Sequence, residues 1–401
     1  MPPAAEPPPL SGLRVIELAS ILAGPSTGQF LAELGAEVVK VENPATGGDP
    51  TRAWRLANES AAGTVSAYFA CANWGKRSIA LDVSRPGGRR AVQDLARGAD
   101  VLIASYKPGD DRKLGLDPDT LLALNPRLIY AQISAYGSTD PRPGFDAIIQ
   151  AESGFTYLNG TADSGPVKMP VALVDLLAAH QIKEAILLAL LRRTGTGQGG
   201  HVEVSLLDAA VAALANQATN YLVAGVVPQR MGSEHPNIVP YGSIFALADG
   251  RELVLAVGTE RQWQNLCRAL GRPELADDER FARNAARVRH RATLNAVLTE
   301  AFAGADTETL VAALAQARVP FGFVNDMAAV FRQDALGDVL LERDGWRGVR
   351  HYVARGTPGR EALDPPPEYN AHGEWVLREL LGYDAPTLRE LMAEQAWPGP
   401  Q

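Results

Sequence analysis

The chain has 401 residues, of which 46% are hydrophobic and 21% charged, a composition typical of a folded protein large enough for two domains. Its formal net charge of −8 argues against a nucleic-acid-binding or membrane-binding surface, so neither partner is expected. The two cysteines, Cys71 and Cys267, and the six histidines have no metal-binding spacing, so no metal is expected. Two free thiols, without a signal peptide or a membrane-spanning run, favour the cytoplasm.

Strand and helix patterns alternate through the first half of the chain. Strands are predicted at 13–19, 36–42, 77–82, 99–104, 128–135 and 201–206, and helices at 26–34, 86–97, 117–124 and 174–193. The first strand, helix and second strand form a parallel βαβ unit. The alternation predicts an α/β fold, with a Rossmann-like large domain built on a parallel sheet.

The sequence pattern changes near Pro228. After a predicted alanine-rich helix at 207–223, residues 239–258 read as a hairpin that turns at Asp249 and Gly250, and helices follow to about Val330. A last helix is predicted at 374–394. We therefore predict a disordered, proline-rich lead-in at 1–9, a large domain from 10–225 and 331–401, and a smaller α+β domain at 226–330.

The turn after the first strand resembles a dinucleotide-binding loop only in part. It reads Ala23-Gly24-Pro25-Ser26-Thr27-Gly28, without the G-x-G-x-x-G spacing, and Pro25 lacks the backbone N–H that a pyrophosphate would use. NAD is therefore not expected, although the following helix start could still bind another anion.

Cationic residues lie near several predicted strand ends, where open parallel sheets bind ligands. They are Lys76, Arg77, Lys107, Arg112 and Lys113. They could bind the phosphates of a ligand, and an ordinary solvated surface explains them as well.

Asp175 opens a long apolar helix and follows an apolar, strand-like segment, PVALV. A carboxylate at this position can simply satisfy the free N–H groups of the helix. An apolar setting would also strip water from it, and an ionised, poorly solvated carboxylate is a usable nucleophile toward a thioester. Both interpretations remain open from the residues alone.

A series of blocks along the chain is similar to one known family. The blocks are LSGLRVIELASILAGP at 10–25, LGAEVVKVE at 34–42, GDPTR at 48–52, KRSI at 76–79, KPG at 107–109, KLG at 113–115, PGFD at 143–146, VALVDL at 171–176 and RTGTGQGGHVEVSLLD at 193–208. Together they resemble the family III CoA-transferases, also called the CaiB–BaiF family.

This resemblance implies an enzyme that handles coenzyme A as an acyl-CoA substrate. The fold it implies is a Rossmann-like large domain built from both chain ends, a smaller domain between them, and a homodimer whose chains pass through each other like rings. Asp175 would be the catalytic nucleophile. By position, the CoA contacts would fall on Ile21, Leu22, Ala23, Ser105, Tyr106 and Lys113. The cations near strand ends, Lys76, Arg77 and Lys107, together with Ser134, complete the predicted CoA-contact set.

The likeness is greatest to the branch that uses succinyl-CoA and short dicarboxylic acids. A distal carboxylate requires a cation, and the candidates are Arg52, Arg142, Lys168, Arg230 and Arg261. The family also contains acyl-CoA racemases, which use a histidine where this chain has Phe145, a residue that cannot take a proton. Transfer of CoA is therefore favoured, with racemisation and a non-catalytic, CoA-binding activator subunit as alternatives.

Overall fold

The computed structural model describes residues 6–400, which divide into two compact units. Unit 1 comprises the chain up to Ser153, Met169–Leu222 and the chain from Leu336; unit 2 comprises Gly154–Lys168 and Val223–Ala335. Residues 154–168 thus group with unit 2, whereas the sequence analysis placed them in the large domain. Of the predicted lead-in, residues 1–5 lie outside the described part, and the Pro8 carbonyl accepts a hydrogen bond from the Ser11 N–H at 3.0 Å.

Unit 1 is built on a six-stranded parallel sheet. Its strands are β1 Arg14–Leu18, β2 Glu37–Glu42, β3 Lys76–Ala80, β4 Val101–Ala104, β5 Ile129–Ser134 and β6 Gly200–Ser205, in the order β3-β2-β1-β4-β5-β6. All five neighbouring pairs are parallel. The predicted α/β fold with a parallel sheet is confirmed, because short apolar strands separated by helices require crossover connections.

The described helices cover both units. They are α1 Ala23–Glu33, α2 Ala67–Ala70, α3 Pro86–Arg97, α4 Asp110–Leu114, α5 Pro118–Leu124, α6 Asp146–Glu152, α7 Phe155–Leu158, α8 Leu173–Thr196, α9 Leu206–Ala212, α10 Ala215–Ala224, α11 Glu260–Ala269, α12 Glu274–Asp277, α13 Asn284–Arg289, α14 Arg291–Gly304, α15 Thr307–Gln316, α16 Met327–Val330, α17 Gly373–Trp375 and α18 Ala385–Ala393. Short 3₁₀ turns lie at Pro44–Thr46, Pro50–Ala53 and Asp334–Val339, and a π-helical turn at Val376–Leu380.

Two predicted helices are interrupted in the structure. The predicted helix at 207–223 is two helices, α9 and α10, because the right-handed helical backbone is interrupted at Ala215, the first residue of α10, whose φ is 49°. The predicted helix at 374–394 breaks at Gly382, whose φ is 67°, and resumes as α18. Both breaks involve backbone conformations that side-chain periodicity does not report.

The C-terminal segment of the chain returns to the sheet of unit 1. Val376, Leu377, Leu391 and Trp397 are buried in the same cluster as Ile16 and the apolar face of α3, beside the parallel strands. A strand pair, β10 Leu340–Arg343 and β11 Trp346–Val349, precedes this segment. Burial of such large apolar side chains is the main favourable term in folding, so both chain ends contribute to one core.

Unit 2 has a core of its own. Its antiparallel sheet consists of β7 Tyr241–Ala246, β8 Glu252–Ala256 and β9 Phe321–Phe323, in that order, which includes the predicted hairpin. The rings of Phe245 and Phe302 stack at 4.8 Å between the sheet and α14. Across residues 6–400, no helix combines the length and the apolar character that crossing a bilayer requires.

Candidate active site

A cleft opens at the carboxyl ends of strands β1 to β4. The strand order reverses between β1 and β4, and at such a switch point the connections leave in opposite directions and a crevice forms. Here the crevice has a volume of about 500 Å³. Its lining includes Leu18–Ser20 at the end of β1, Ser105 and Tyr106 after β4, and Asp49 in the segment that follows β2. This is the place in the fold where a ligand is expected.

A buried ion network lies beneath this cleft. The Glu17 carboxylate accepts from the Lys40 Nζ at 2.9 Å through one oxygen and from the Lys76 Nζ at 2.8 Å through the other. Lys40 also pairs with Asp49 at 2.9 Å. Burial alone would lower the pKa of Lys40, but Glu17 and Asp49 raise it above its usual value. Burial lowers the pKa of Lys76 to about 8, so this lysine is the less strongly protonated of the two.

A fourth ion pair, between Arg52 and Glu42, extends the network. The Arg52 guanidinium binds both oxygens of Glu42, at 2.7 and 2.8 Å, and its remaining N–H groups donate to the carbonyls of Thr64 and Pro367. Its face lies 3.7 Å from the centre of the Phe69 ring. With three acids and three bases, the formal charges of the network cancel, which reduces the cost of keeping them out of water.

The turn from Ser20 to Ala23 joins β1 to α1 above this network. Ile21 has a φ of 72°, in the left-handed region that a β-branched residue rarely adopts. Such a conformation costs on the order of 1–3 kcal/mol and persists only where its surroundings enforce it. The Ile21 N–H donates to both Asp49 oxygens, at 3.3 and 3.2 Å.

Asp175 lies in the first turn of α8 and is only 8% exposed. No hydrogen bond to its carboxylate occurs among the described residues, although four N–H groups at a helix start lack helical partners. Burial, and secondarily the charge of Asp146, raise its pKa from 3.8 to about 7. Asp175 is therefore not the capping residue that the simpler interpretation required, and it keeps its oxygens available for chemistry.

Asp146 caps the helix instead. Its Oδ1 accepts a hydrogen bond from the Val174 N–H at 2.9 Å, and its Oδ2 accepts from the Gln150 Nε2 at 2.8 Å. Gln150 also receives the Met169 N–H at 2.9 Å, so α6 and the segment before α8 are tied together. Because the cap is supplied by a different residue, Asp175 is free of that structural task.

The Tyr68 phenol, on α2, is under the electrostatic influence of Asp175. Burial raises its pKa to about 12, and the charges of Cys71, Asp175, Asp146 and Asp49 add to that effect. The phenol is thus protonated at neutral pH and half-buried, and its ring meets Trp54 edge-to-face at 5.0 Å. The charges of Asp175 and Asp49 both act on Tyr68.

Comparisons with known proteins decide the family. The sequence profile of "CoA-transferase family III" matches residues 10–372. The chain belongs to CoA-transferase family III. It is an enzyme of the CoA-transferase type, as the resemblance implied.

Named relatives of this CoA-transferase extend along almost the whole chain. The succinate–glutarate CoA-transferase of Agrobacterium fabrum is 41% identical over 386 residues, 93% of this chain and 96% of that protein. A probable fatty acyl-CoA transferase of Mycobacterium tuberculosis is 34% identical over 400 residues, 93% of this chain and 98% of that protein. The crystal structure of a CaiB/BaiF family protein from Brucella suis is 40% identical and superposes with a TM-score of 0.81, covering 94% of this chain and 100% of that one.

The predicted CoA contacts of the transferase fall into three groups in the structure. Ser105 and Tyr106 line the cleft, and Ile21, Leu22 and Ala23 form the adjacent turn and the start of α1. The exposed Lys107 follows the cleft residue Tyr106, and the exposed Lys113 precedes the cleft residue Leu114 and is paired to Asp110 at 2.7 Å. Ser134 ends β5, where its Oγ donates to Glu203 at 3.1 Å and accepts from the Gly137 N–H.

Lys76 and Arg77 are placed differently from the prediction. All three Lys76 donors are engaged in the core, by Glu17, the Pro25 carbonyl and Asn73, so none remains for a phosphate. Arg77 is the second residue of β3, near the opposite, amino edge of the sheet, where it pairs with Glu37 at 3.4 Å and stacks on Trp375. In both cases a partner distant in sequence takes up the charge.

The five cations proposed for a distal carboxylate have different surroundings in the structure. Arg52 has every N–H engaged in the buried network, and the exposed Arg142 pairs with Asp140 and Glu152. The others belong to unit 2: Arg230 donates to the Tyr157 carbonyl, Lys168 is exposed, and Arg261 is exposed on α11. Arg52 therefore has no N–H group left for a substrate carboxylate. A carboxylate-binding role for the other four cations stays a prediction.

Sequence reasoning missed four residues of the site, namely Asp49, Tyr68, Asp146 and Glu17. Asp49 and Asp146 lie inside the blocks GDPTR and PGFD, so the family resemblance marked their positions but did not indicate their roles. Glu17 lies within an apolar strand, and a charge at such a position predicts a buried partner. Tyr68 had no distinguishing pattern.

Proposed function

We propose that this enzyme transfers CoA from an acyl-CoA, foremost succinyl-CoA, to a small dicarboxylic acid through a covalent intermediate on Asp175. The observation that carries the proposal is the state of Asp175, a buried carboxylate with no hydrogen bond among the described residues and a pKa raised to about 7. Such a carboxylate is poorly stabilised as an ion, which favours its attack on an electrophilic carbonyl.

The reaction proceeds through two exchanges at the same carboxyl group. The Asp175 carboxylate attacks the thioester carbonyl, forming a mixed anhydride and releasing CoA thiolate. The thiolate attacks the aspartyl carbonyl, which gives an aspartyl-CoA thioester and releases the donor acid. The acceptor carboxylate then attacks this thioester, again releasing thiolate, which attacks the acceptor carbonyl and regenerates Asp175. Each step is an acyl transfer at one carbonyl, so the exchange is divided into covalent steps that are easier than a direct exchange.

The cleft of unit 1 is the proposed CoA site. Its position at the switch point between β1 and β4 is the usual place for a nucleotide-bearing ligand in a doubly wound sheet. Ser105 and Tyr106 line it, and Lys107 and Lys113 supply positive charge nearby. The preference for dicarboxylates rests on the Agrobacterium fabrum relative, whose name includes succinate and glutarate.

A homodimer of interlocked chains is proposed from the family resemblance. Unit 1 offers an apolar surface that would suit a second copy. Leu188 and Leu191 on α8 are 66% and 68% exposed, and Leu187 lies beside them at 38%. Leu191 follows Leu187 by four residues and Leu188 by three, so its side chain meets both on one helix surface, and such apolar surfaces are normally covered.

Asp175→Asn removes the oxygen that forms the covalent bond, so turnover should fall at least about a thousandfold. The variant should remain folded, with an unfolding midpoint at pH 8 no lower than that of the wild type, because it buries no charge. With succinyl-CoA and hydroxylamine, mass spectrometry of the wild type should show a hydroxamate at Asp175. Undiminished CoA exchange in Asp175→Asn, or an unmodified Asp175 during turnover, would contradict the proposal.

A substrate screen separates the acid classes. Succinyl-CoA, acetyl-CoA and a long-chain acyl-CoA are each tested against mono- and dicarboxylic acids, with CoA esters read by chromatography. Dicarboxylate acceptors should give the highest kcat/KM. A preference for the long-chain donor would instead align the enzyme with the Mycobacterium tuberculosis relative, and α-proton exchange without an acceptor would indicate racemisation.

A further inference from the structure

The turn between β1 and α1 is held at three backbone atoms by one buried ion network. The Lys40 Nζ donates to the Ala19 carbonyl at 2.8 Å, before the turn. The Ile21 N–H, within the turn, donates to Asp49. The Lys76 Nζ donates to the Pro25 carbonyl at 2.8 Å, in the first turn of α1. These anchors bracket the whole segment from residue 19 to residue 25.

The side chains that supply these anchors are themselves fixed. One carboxylate, Glu17, joins both lysines, and the side chains of Glu17, Lys40 and Lys76 are at most 1% exposed. Asp49 is held by Lys40 at 2.9 Å, and by the N–H and hydroxyl of Thr51, which donate to its Oδ1 at 3.0 and 2.8 Å. Because every partner is buried and paired, the network can impose a backbone geometry on the turn.

The geometry that is imposed is unfavourable for the residue that adopts it. Ile21 has a φ of 72°, which a branched side chain avoids unless contacts from outside the turn enforce it. The glycine that would adopt this φ without cost is absent at this position. Strained backbone that is enforced by a buried charge network indicates a conformation retained for a purpose other than stability.

We propose that Asp49 is a positioning residue, which holds Ile21 in the left-handed conformation and thereby sets the place of residues 21–23 at the cleft. This inference rests on the proposed function, in which these residues contact CoA. Asp49 acts through the backbone of the turn and need not touch the substrate, since its two oxygens already receive Ile21, Thr51 and Lys40. Lys40 and Lys76 serve the same purpose at either side of the turn.

The test compares Asp49→Asn in two backgrounds, by titrating free CoA into the purified protein. In the wild-type background, Asp49→Asn should weaken CoA binding about tenfold, because the turn is released from its strained geometry. At saturating succinyl-CoA, kcat should fall less than kcat/KM. In the Ile21→Gly background, glycine adopts the same φ without strain, so Asp49→Asn should weaken binding only about twofold.

Asp384→Asn is the matched control, because Asp384 accepts from the N–H and hydroxyl of Thr387 as Asp49 does from Thr51, yet lies on the exposed start of α18. It should bind CoA like the wild type. If Asp49→Asn does not fold, Thr51→Val removes one donor to Asp49 and should give a smaller loss that Ile21→Gly also reverses. Wild-type CoA affinity in these variants, or an equal loss in both backgrounds, overturns the positioning role. A wild-type protein that binds no CoA would instead overturn the proposed site.

Discussion

At the scale of single residues, the buried Asp175 lowers the free energy of unfolding at neutral pH. Its pKa in the folded protein is about 7, above the 3.8 of a solvated aspartate, so the folded state holds the proton more tightly. Well below pH 3.8 the group is protonated in both states and costs nothing. Between pH 3.8 and about 7 the unfolded state loses the proton while the folded state keeps it, so the cost grows with pH and levels off at about 4 kcal/mol above pH 7. A carboxylate kept at that cost is typical of a functional site.

The pH dependence of turnover should report this residue. Attack requires the ionised form, so kcat/KM should rise with pH and level off above about 7. Asp146→Asn removes the neighbouring charge that raises the pKa of Asp175, so the rising limb should move to lower pH, while an amide oxygen can still accept from the Val174 N–H. Steady-state kinetics from pH 5 to 9 measure this. A rising limb at the same pH in both proteins would contradict the assignment.

At the scale of elements, the close packing of α1 explains why glycines occur in the segment that partly resembles a dinucleotide-binding loop. A Cβ on Gly24 would come within 2.2 Å of the Ala19 Cβ, and one on Gly28 within 1.9 Å of a Glu17 oxygen. The two glycines lie one turn apart on the helix face that packs against β1. They serve close packing of α1 over the buried Glu17–Lys76 pair, and no phosphate needs to be invoked.

Gly28→Ala should therefore reverse the usual effect of this substitution in a helix. Glycine to alanine normally stabilises a helix by about 1 kcal/mol. Here the new methyl group would displace a carboxylate fixed between two lysines, so we expect a loss of about 1–3 kcal/mol. Thermal or urea unfolding measures it. Gly195→Ala in α8, where no atom lies within 4 Å of the added Cβ, is the control and should be neutral or stabilising. Equal effects at both sites would refute the packing argument.

At the scale of the whole molecule, the proposed dimer makes a simple prediction about mass. The protein should elute with a light-scattering mass of twice 42.7 kDa. Interlocked chains cannot separate without unfolding, so the mass should not fall on dilution to nanomolar concentration. Leu188→Glu combined with Leu191→Glu places charges on the exposed apolar surface of α8 and should reduce the yield of dimer. A stable monomer of the wild type would contradict the dimer.

Much of unit 1 was predictable because its information is local. Strands such as Ile129–Ser134 are short apolar runs, and helix Pro86–Arg97 has a proline start and a glycine stop, so their periods and ends stand in neighbouring residues. The importance of Asp175 came from a resemblance between short blocks. Its raised pKa could not be predicted in this way, because the pKa depends on burial and on the charge of Asp146, which lies on a different helix.

By itself, the sequence determined the alternation of strands and helices, and with it the parallel sheet and the crevice at its carboxyl edge. Which charged groups remain free for a ligand was decided by tertiary structure alone. Lys76 pairs with Glu17 at a separation of 59 residues, and Arg77 pairs with Glu37 at a separation of 40. Charge is a property of a residue, but its neutralisation depends on partners that only the folded chain brings within hydrogen-bonding distance.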